Sequence, residues 1–350
     1  MEKLYFASDY QEGAHPAILS RLVESNLDRT PGYGTDAVCA AAREKIRAAC
    51  ASPDAEIHFL VGGTQANLVM IDAILRSYQG VIAADTGHIS SHEAGAIEAG
   101  GHKVLTLPNT LGKIDAGQIR RLVEAYYADA NRDHMVMPGM VYLAQPTEYG
   151  TLYSLAELTA ISACCREYGL PLYVDGARLA YALACPSNDV TPADLARLCD
   201  AFYLGGTKCG ALFGEAVVIP KAGSVPQLFT IIKQHGALLA KGRLLGLQFD
   251  VLFTDGLYER LGAPAIEAAA RIREALSALG YRQLFEAPTN QIFCVMEDEL
   301  LPRLQQQVEY SFWEKADETH TVIRFASSWA TRPEDVDRLL AVLAALREPA

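Results

Sequence analysis

The sequence predicts an α/β protein: a large, doubly wound, mostly parallel sheet with helices on both faces, followed by a smaller C-terminal α/β unit. Three observations carry that expectation. Short apolar runs alternate with helical stretches through the first two thirds of the chain, as they do where helices cross over between parallel strands. The helical stretches carry explicit start and stop signals. After about Ser224 the alternation gives way to a long helical stretch and then a sparser βαβα-like series. With 350 residues, half of them hydrophobic, the chain suits one large unit plus a small one. The expected division is 1–245, an N-terminal arm with the large unit, and 246–350, the small unit.

Taken in order, Glu56–Val61 is an apolar strand run ending in Gly62-Gly63, and Thr64–Tyr78 follows as a helix. Gly80–Asp85 is strand-like, Ser90–Glu98 helical and His102–Pro108 strand-like. Asp115 caps a helix reaching about Ala128, and Met140–Gln145 is a strand. Ser154, with Glu157 three positions on, forms a capping box, and Gly169 supplies the left-handed residue that ends the helix. Pro171–Asp175 is a strand, Thr191-Pro192 opens a helix with proline at its favoured first position, and Ala201–Gly205 and Glu215–Ile219 are strands. Beyond Ser224 a helical stretch runs to about Leu261 with a break near Gly236. Then follow a helix over Pro264–Leu279, a strand over Gln291–Met296, a helix over Glu299–Tyr310, a strand over Thr321–Ala326 and a helix over Pro333–Leu346.

The net charge of −12 is diffuse and no basic cluster interrupts it. Such a surface disfavours nucleic acid and anionic membranes as partners. No apolar run is long enough to span a bilayer, and the N-terminus lacks the pattern of a secretory signal. The eight cysteines lack metal-ligand spacing, so no metal site is expected. They are read as reduced core thiols of a cytoplasmic protein.

Five segments carry chemistry. In Tyr203–Ala211 (YLGGTKCGA) a strand runs into a glycine-flanked turn bearing Thr207 and Lys208. Glycines there let a planar group approach the backbone, and a partly desolvated lysine has the lowered basicity needed to form an imine. A solvated turn lysine is an equal reading of that motif alone. In Leu172–Ala182 (LYVDGARLAYA), Asp175 ends a buried strand and needs a cationic partner or a metal. A protonated pyridine nitrogen would serve, and so would Arg178. In Phe59–Met70 (FLVGGTQANLVM) a strand meets Gly62, Gly63, Thr64 and Gln65 at a helix start. Unpaired N–H groups there attract phosphate, although an isolated GGT is more often an ordinary turn. No Gly-Lys-Ser/Thr follows, so a Walker loop is excluded. His88, after the strand ending at Asp85, is placed to stack on a ring or to move protons. It is equally read as a capping or core-edge histidine, with His92 and Glu93 as surface residues. Arg324, inside the apolar run Thr321–Ala326, requires an anion, either a substrate carboxylate or an internal partner.

The combination GGTQAN, His88-x4-Glu-Ala-Gly, VDGAR, a strand-end Thr-Lys and a late strand arginine resembles the low-specificity L-threonine aldolases, within the β-eliminating lyases of the aspartate-aminotransferase fold (fold type I). The likeness extends from about Ser8 to the C-terminus. It implies a pyridoxal 5′-phosphate enzyme with Lys208 as Schiff-base lysine, cleaving β-hydroxy-α-amino acids to glycine and an aldehyde. It further implies that His88 stacks on the cofactor ring and Asp175 holds the pyridine nitrogen. Arg178 would serve the 3′-oxygen side and the substrate carboxylate, Gly63, Thr64 and Gln65 would hold the phosphate, and Thr207, beside Lys208, would be a further cofactor-binding residue. Ser8 and Arg324 would take the substrate carboxylate. Tyr33 and Lys241 would reach a neighbouring subunit's site, in a homodimer or homotetramer with shared active sites.

Two positions depart from the family pattern. Glu148, in Gln145–Gly150, stands where the family has a histidine near the substrate hydroxyl. It is read as a base, as a hydroxyl binder or as the mark of another substrate. Trp329 stands near a second missing histidine and is expected to fill the side-chain site. Candidate bases are therefore His88, Glu148 or a bound water. Rival reactions on the same scaffold are β-elimination, transamination and racemisation. A non-catalytic cofactor-binding protein would need no substrate arginine. A nicotinamide enzyme would need a glycine-rich turn with an acidic residue roughly twenty positions later, which no segment supplies.

Overall fold

The computed structural model describes residues 3–347; the first two residues and the last three of the two expected units lie outside them. The strands, in chain order, are β1 (Leu4–Tyr5), β2 (Glu56–Leu60), β3 (Gln79–Ala84), β4 (Lys103–Leu107), β5 (Met137–Ala144), β6 (Leu172–Asp175), β7 (Ala201–Gly205), β8 (Glu215–Ile219), β9 (Arg282–Gln283), β10 (Gln291–Glu297), β11 (Val308–Glu309), β12 (Ser311–Lys315) and β13 (His320–Ala326). Seven of them form the main sheet in the order β2-β8-β7-β6-β5-β3-β4. β8 runs antiparallel to both its neighbours, while the pairs β7–β6, β6–β5, β5–β3 and β3–β4 are parallel.

Side chains alternate along each strand, so every strand feeds two cores. Ile82, Val141, Leu143, Val174, Phe202 and Leu204 enter one layer. Val81, Met140, Tyr142, Tyr173 and Tyr203 enter the other. Both layers are covered by helices, which is why the strands read as continuous apolar runs rather than as alternating ones.

A second sheet, β12-β13-β10-β9, is antiparallel throughout. Ile292, Cys294, Met296, Ile323 and Phe325 pack from it against the helices Ala263–Ala278 and Pro333–Leu346. Its other face gathers Phe293, Val295 and Val322, with Phe285 and Trp313 packed against them. Leu4 and Phe6 belong to the core of this second sheet, because β1 pairs in parallel with β11.

Several elements differ from expectation. Ser90–Glu98 is two short helices, His88–Ser91 and Ala96–Ala99, split by left-handed residues at Ala94 and Gly95. The stretch from Ser224 to Leu261 is three helices, Leu228–Gln234, Arg243–Leu252 and Leu257–Leu261, with a left-handed Gly236 after the first. Only Leu301–Gln305 of the expected helix Glu299–Tyr310 is helical; the remainder turns into β11 and then β12. Pairing of β11 with β1 overrides the local helical pattern there. The helices Pro16–Glu24 and Ala37–Ala49 were not anticipated.

Candidate active site

In open α/β sheets, ligand sites form beyond the carboxyl ends of the parallel strands. That edge carries His88 after β3, Glu148 after β5, Asp175 at the end of β6 with Arg178 beyond it, and Lys208 after β7. A cleft of about 550 Å³ opens above it, lined by His88, His92, Glu148, Arg178, Lys208 and Tyr10. The opposite wall comes from the second sheet, through Ser311, Phe312, Trp313 and Glu314 on β12 and Arg324 on β13. Close backbone approach explains the glycine after Asp175: a Cβ at Gly176 would stand 2.0 Å from the Tyr203 carbonyl oxygen.

Asp175 is buried and accepts four hydrogen bonds. Tyr203 Oη donates at 2.5 Å and the Ala177 N–H at 3.0 Å to Oδ1. Tyr142 Oη at 2.7 Å and Asn67 Nδ2 at 3.1 Å donate to Oδ2. Burial alone would raise its pKa, but His88 and these donors outweigh it and hold the carboxyl below its ordinary value. Among the described residues no lysine or arginine forms an ion pair with it.

His88 is anchored through Nδ1, 2.7 Å from Glu93 Oε1. The same oxygen accepts from Asn67 Nδ2 at 2.6 Å, so Asn67 bridges the two carboxylates. Burial disfavours the His88 cation, yet Glu93, Glu148 and Asp175 more than offset it and raise its pKa. Glu93 is buried, which removes the reading of it as a surface residue, and among the described residues its Oε2 has no partner.

Gly63 opens the helix Gly63–Ile74, which has no side-chain cap on its first N–H groups. Gln65 folds back so that its Oε1 accepts from the Val61 N–H at 3.1 Å. That leaves the helix start available to an anion.

The Lys208 turn is held from beneath. Thr207 Oγ1 donates to Glu215 Oε1 at 2.8 Å and accepts from the Gly214 N–H at 3.0 Å. The Gly206 N–H donates to Glu215 Oε2 at 3.1 Å, and Tyr181 Oη donates to the Lys208 carbonyl at 2.5 Å. The Thr207 hydroxyl is thus turned onto Glu215, and Thr207 does not line the cleft. Burial pushes Glu215 up to about 8, against the opposing pull of Thr207, Gly206 and Lys208.

Arg178 pairs with Asp9, not with Asp175. Its Nε and Nη2 donate to the two Asp9 oxygens at 2.6 and 3.1 Å, and Asn290 Nδ2 donates to the same carboxylate at 2.8 Å. Arg324 is different. Nη1 donates to Gln291 Oε1 at 2.9 Å, Nη2 reaches the Ala7 carbonyl and Ser311 Oγ at 3.3 Å each, and Nε is buried with no hydrogen-bond partner among the described residues. Among the described residues no carboxylate forms an ion pair with it. Burial, with Arg178 nearby, lowers its pKa. Ser8 lies between Ala7 and Asp9, beside both arginines, but does not itself line the cleft.

Tyr33 and Lys241 stand elsewhere. Tyr33 is exposed, with left-handed backbone. Its N–H donates to the carbonyl of Ala240, the residue before Lys241, at 3.1 Å. Neither lines the Lys208 cleft. Trp329 is not in that cleft either: its ring centroid lies 5.8 Å from that of His15 and its backbone N–H donates to Tyr181 Oη. The aromatic wall is Trp313 instead, 4.8 Å from Phe293 and 5.4 Å from Tyr149 between ring centroids.

A doubly wound sheet with a lysine, a buried carboxylate and a histidine at its carboxyl edge defines an enzyme of the aspartate-aminotransferase fold. Aspartate aminotransferase from Thermus thermophilus superposes with a TM-score of 0.71 at 16% identity, over 99% of this chain and 92% of that one. A threonine aldolase from Leishmania major superposes with a TM-score of 0.95 at 42% identity, over 99% of this chain and all (100%) of that one. The β-eliminating lyase family model matches residues 6–299. A low-specificity L-threonine aldolase from Pseudomonas sp. (strain NCIMB 10558) is 32% identical, covering 97% of each chain. The chain belongs to the β-eliminating lyase family.

Proposed function

We propose that this lyase uses pyridoxal phosphate to cleave β-hydroxy-α-amino acids of the threonine and allo-threonine type into glycine and an aldehyde. Relatives at 32% and 42% identity that bear the name threonine aldolase support the reaction. The observation that carries the reading is one cleft shared by Lys208 and by Arg324, beside a buried anionic Asp175; among the described residues no carboxylate pairs with Arg324 and no lysine or arginine with Asp175.

The residues present fit the cofactor. A buried carboxylate kept ionised by phenolic, amide and backbone donors calls for a cation such as a protonated pyridine nitrogen. The uncapped helix start at Gly63, Thr64 and Gln65 suits a phosphate, and His88 lies beside both Asp175 and Lys208 in their mutual field. Thr207 would act by holding the lysine turn. When bound, the cofactor supplies an electrophilic carbon for the substrate amine and a ring that accepts electron density from Cα.

The chain's own residues account for the rest. Lys208 presents its amine to the cleft. Arg324, with Ser8 at its side, anchors the substrate carboxylate through charge-assisted bonds, and Arg178 adds positive field from its pair with Asp9. With amine and carboxylate fixed, the substrate side chain faces Glu148 and Trp313. Tyr33 and Lys241, exposed together and away from this cleft, suit residues lent to a neighbouring site in a homodimer or homotetramer. Eight unpaired, buried cysteines support a reducing, cytoplasmic setting. Among the described residues no helix is long and apolar enough to cross a membrane. Leu247, Phe249, Leu261 and Ile266 pack into the first core, whereas Ala268 onwards joins the second. This favours a division between the large and small units somewhat beyond residue 245.

The test is a visible spectrum of the purified protein followed by L-allo-threonine with an aldehyde assay. An absorption band with acetaldehyde release is expected. Pyruvate and ammonia in place of acetaldehyde would turn the reading to β-elimination, and a colourless protein that takes up no cofactor would end it.

A further inference from the structure

His92 follows the short helix His88–Ser91, is exposed, and lines the same cleft as Lys208 and Arg324. Its ring centroid is 5.7 Å from that of His88 and 6.4 Å from that of Trp313. It therefore stands between the main sheet's carboxyl edge and the aromatic wall of the second sheet. The cleft that holds Lys208 and Arg324, the groups suited to a substrate's amine and carboxylate, also holds His92 and Trp313, which are left to face its side chain. We infer that His92 is the catalytic base that takes the proton of the substrate β-hydroxyl, with Glu148, in the same cleft, acting on it through its charge. This rests on the reading of the cleft as a β-hydroxy-amino-acid site.

Two other groups are less suited. His88 is tied through Nδ1 to Glu93 and its carboxylate neighbours favour its cationic form, which has no free lone pair. Glu148 is a carboxylate, and an imidazole is the better matched proton acceptor near neutral pH. The groups acting on His92 are Glu148 after β5, His88 at the start of its own helix, Arg178 after β6 and Arg324 on β13. Asp85, Tyr10, Tyr149, Lys208 and Glu314 complete the charged and titratable lining of the cleft. Partial desolvation in the cleft, together with His88 and the two arginines, outweighs Glu148 and lowers the His92 pKa, which favours the neutral ring that can accept a proton.

In the step itself, the O–H bond breaks towards a ring nitrogen of His92 and its electron pair becomes the second bond of the aldehyde carbonyl. The Cα–Cβ bond breaks, its pair stays with the glycine half, and Cα takes up a proton as glycine forms. No oxidant or reductant enters.

The experiment compares wild type, His92→Asn and Glu148→Gln in the cofactor-loaded protein. One readout is aldehyde release from L-allo-threonine. The other is exchange of the glycine Cα proton with deuterium oxide, followed by proton NMR; that exchange breaks only Cα–H and needs no base at a hydroxyl. For His92→Asn, aldehyde release should fall by about a hundredfold or more while the absorption band and glycine exchange stay at wild-type levels. For Glu148→Gln, cleavage should persist, with the acid limb of its kcat/KM profile moved to lower pH, because the variant lacks the carboxylate that favours the imidazolium. Equal losses of cleavage and exchange in His92→Asn, or no loss of either, would overturn the assignment. So would abolition of cleavage by Glu148→Gln with His92→Asn still active. A wild-type protein that shows neither glycine exchange nor aldehyde release would sink the underlying function, and the base with it.

Discussion

Asp9 and Arg178 meet edge to edge, two hydrogen bonds joining carboxylate to guanidinium across 169 residues of sequence. Both are buried, at 0% and 5% exposure. The pair occupies the arginine that would otherwise be available to Asp175, and so leaves Asp175 without an arginine partner.

Removing one member of this pair strands the other's charge. Asp9→Ala is expected to destabilise the fold by about 3–5 kcal/mol, measured by denaturant unfolding. Its pH dependence has a definite sign. Burial raises the Asp9 pKa, but Arg178 and Lys208, with the bonds from Arg178 and Asn290, bring it down to about 2 from 3.8. A depressed carboxylate stabilises the fold above its unfolded pKa and loses that contribution as pH falls through its folded one. Wild-type stability should therefore drop between pH 3.8 and about 2, and Asp9→Asn should show less of that drop.

Arg324→Ala tests carboxylate anchoring. Charge-assisted hydrogen bonds contribute about 1.5–3 kcal/mol, so KM for L-allo-threonine should rise about ten- to a hundredfold. Arg324→Lys should restore only part of it, since a single ammonium replaces a planar fork. An unchanged KM in Arg324→Ala would remove the residue from substrate binding.

Glu215 gives a pH effect of opposite sense. Its pKa is raised from 4.5 to about 8, so the folded protein keeps a proton there that the unfolded chain has lost. That contribution is complete below 4.5 and disappears as pH rises through about 8. Glu215→Gln carries no such ionisation. Melting temperatures measured from pH 6 to 10 should show the variant gaining on wild type as the pH rises.

Lys208→Ala should lose the visible absorption band of the cofactor-loaded protein while keeping its fold, judged by far-ultraviolet circular dichroism. A retained band would place the reactive lysine elsewhere.

Much of this site was legible where chemistry coincides with local signals. Lys208 in its glycine turn, Asp175 at a strand end and Gly63 at a helix start each combine a strand terminus with an unusual residue, and all three stand where the pattern put them. Residues whose meaning is purely tertiary were not. Tyr142, Tyr173 and Tyr203 read as apolar strand residues. Only sheet register brings Tyr142 and Tyr203 onto Asp175 and Tyr173 onto Asn67, at 3.2 Å. Asp9 and Glu215 depend on partners in other elements, and Glu93 on the break between two short helices. Trp329 was expected in the cleft because it stands near a position where the family pattern has a histidine, but the wall there is Trp313, delivered by β12, a strand that no pattern in the sequence marked.

The pairing of β1 with β11 bears on how the protein is made. Ser311 Oγ donates to the Ala7 carbonyl, a residue 304 positions earlier, and that same carbonyl helps hold Arg324. During synthesis, Leu4 to Asp9 leave the ribosome long before the strands they join. The segment must wait unpaired while the main sheet forms, and the cleft closes only when the last third of the chain has emerged. Loop closure over such a span is slow, so the completion of the cleft waits on contacts between the two ends of the chain rather than on the lysine turn. A bulky fusion placed immediately before Leu4 would obstruct that late docking, and with it the seating of Arg324.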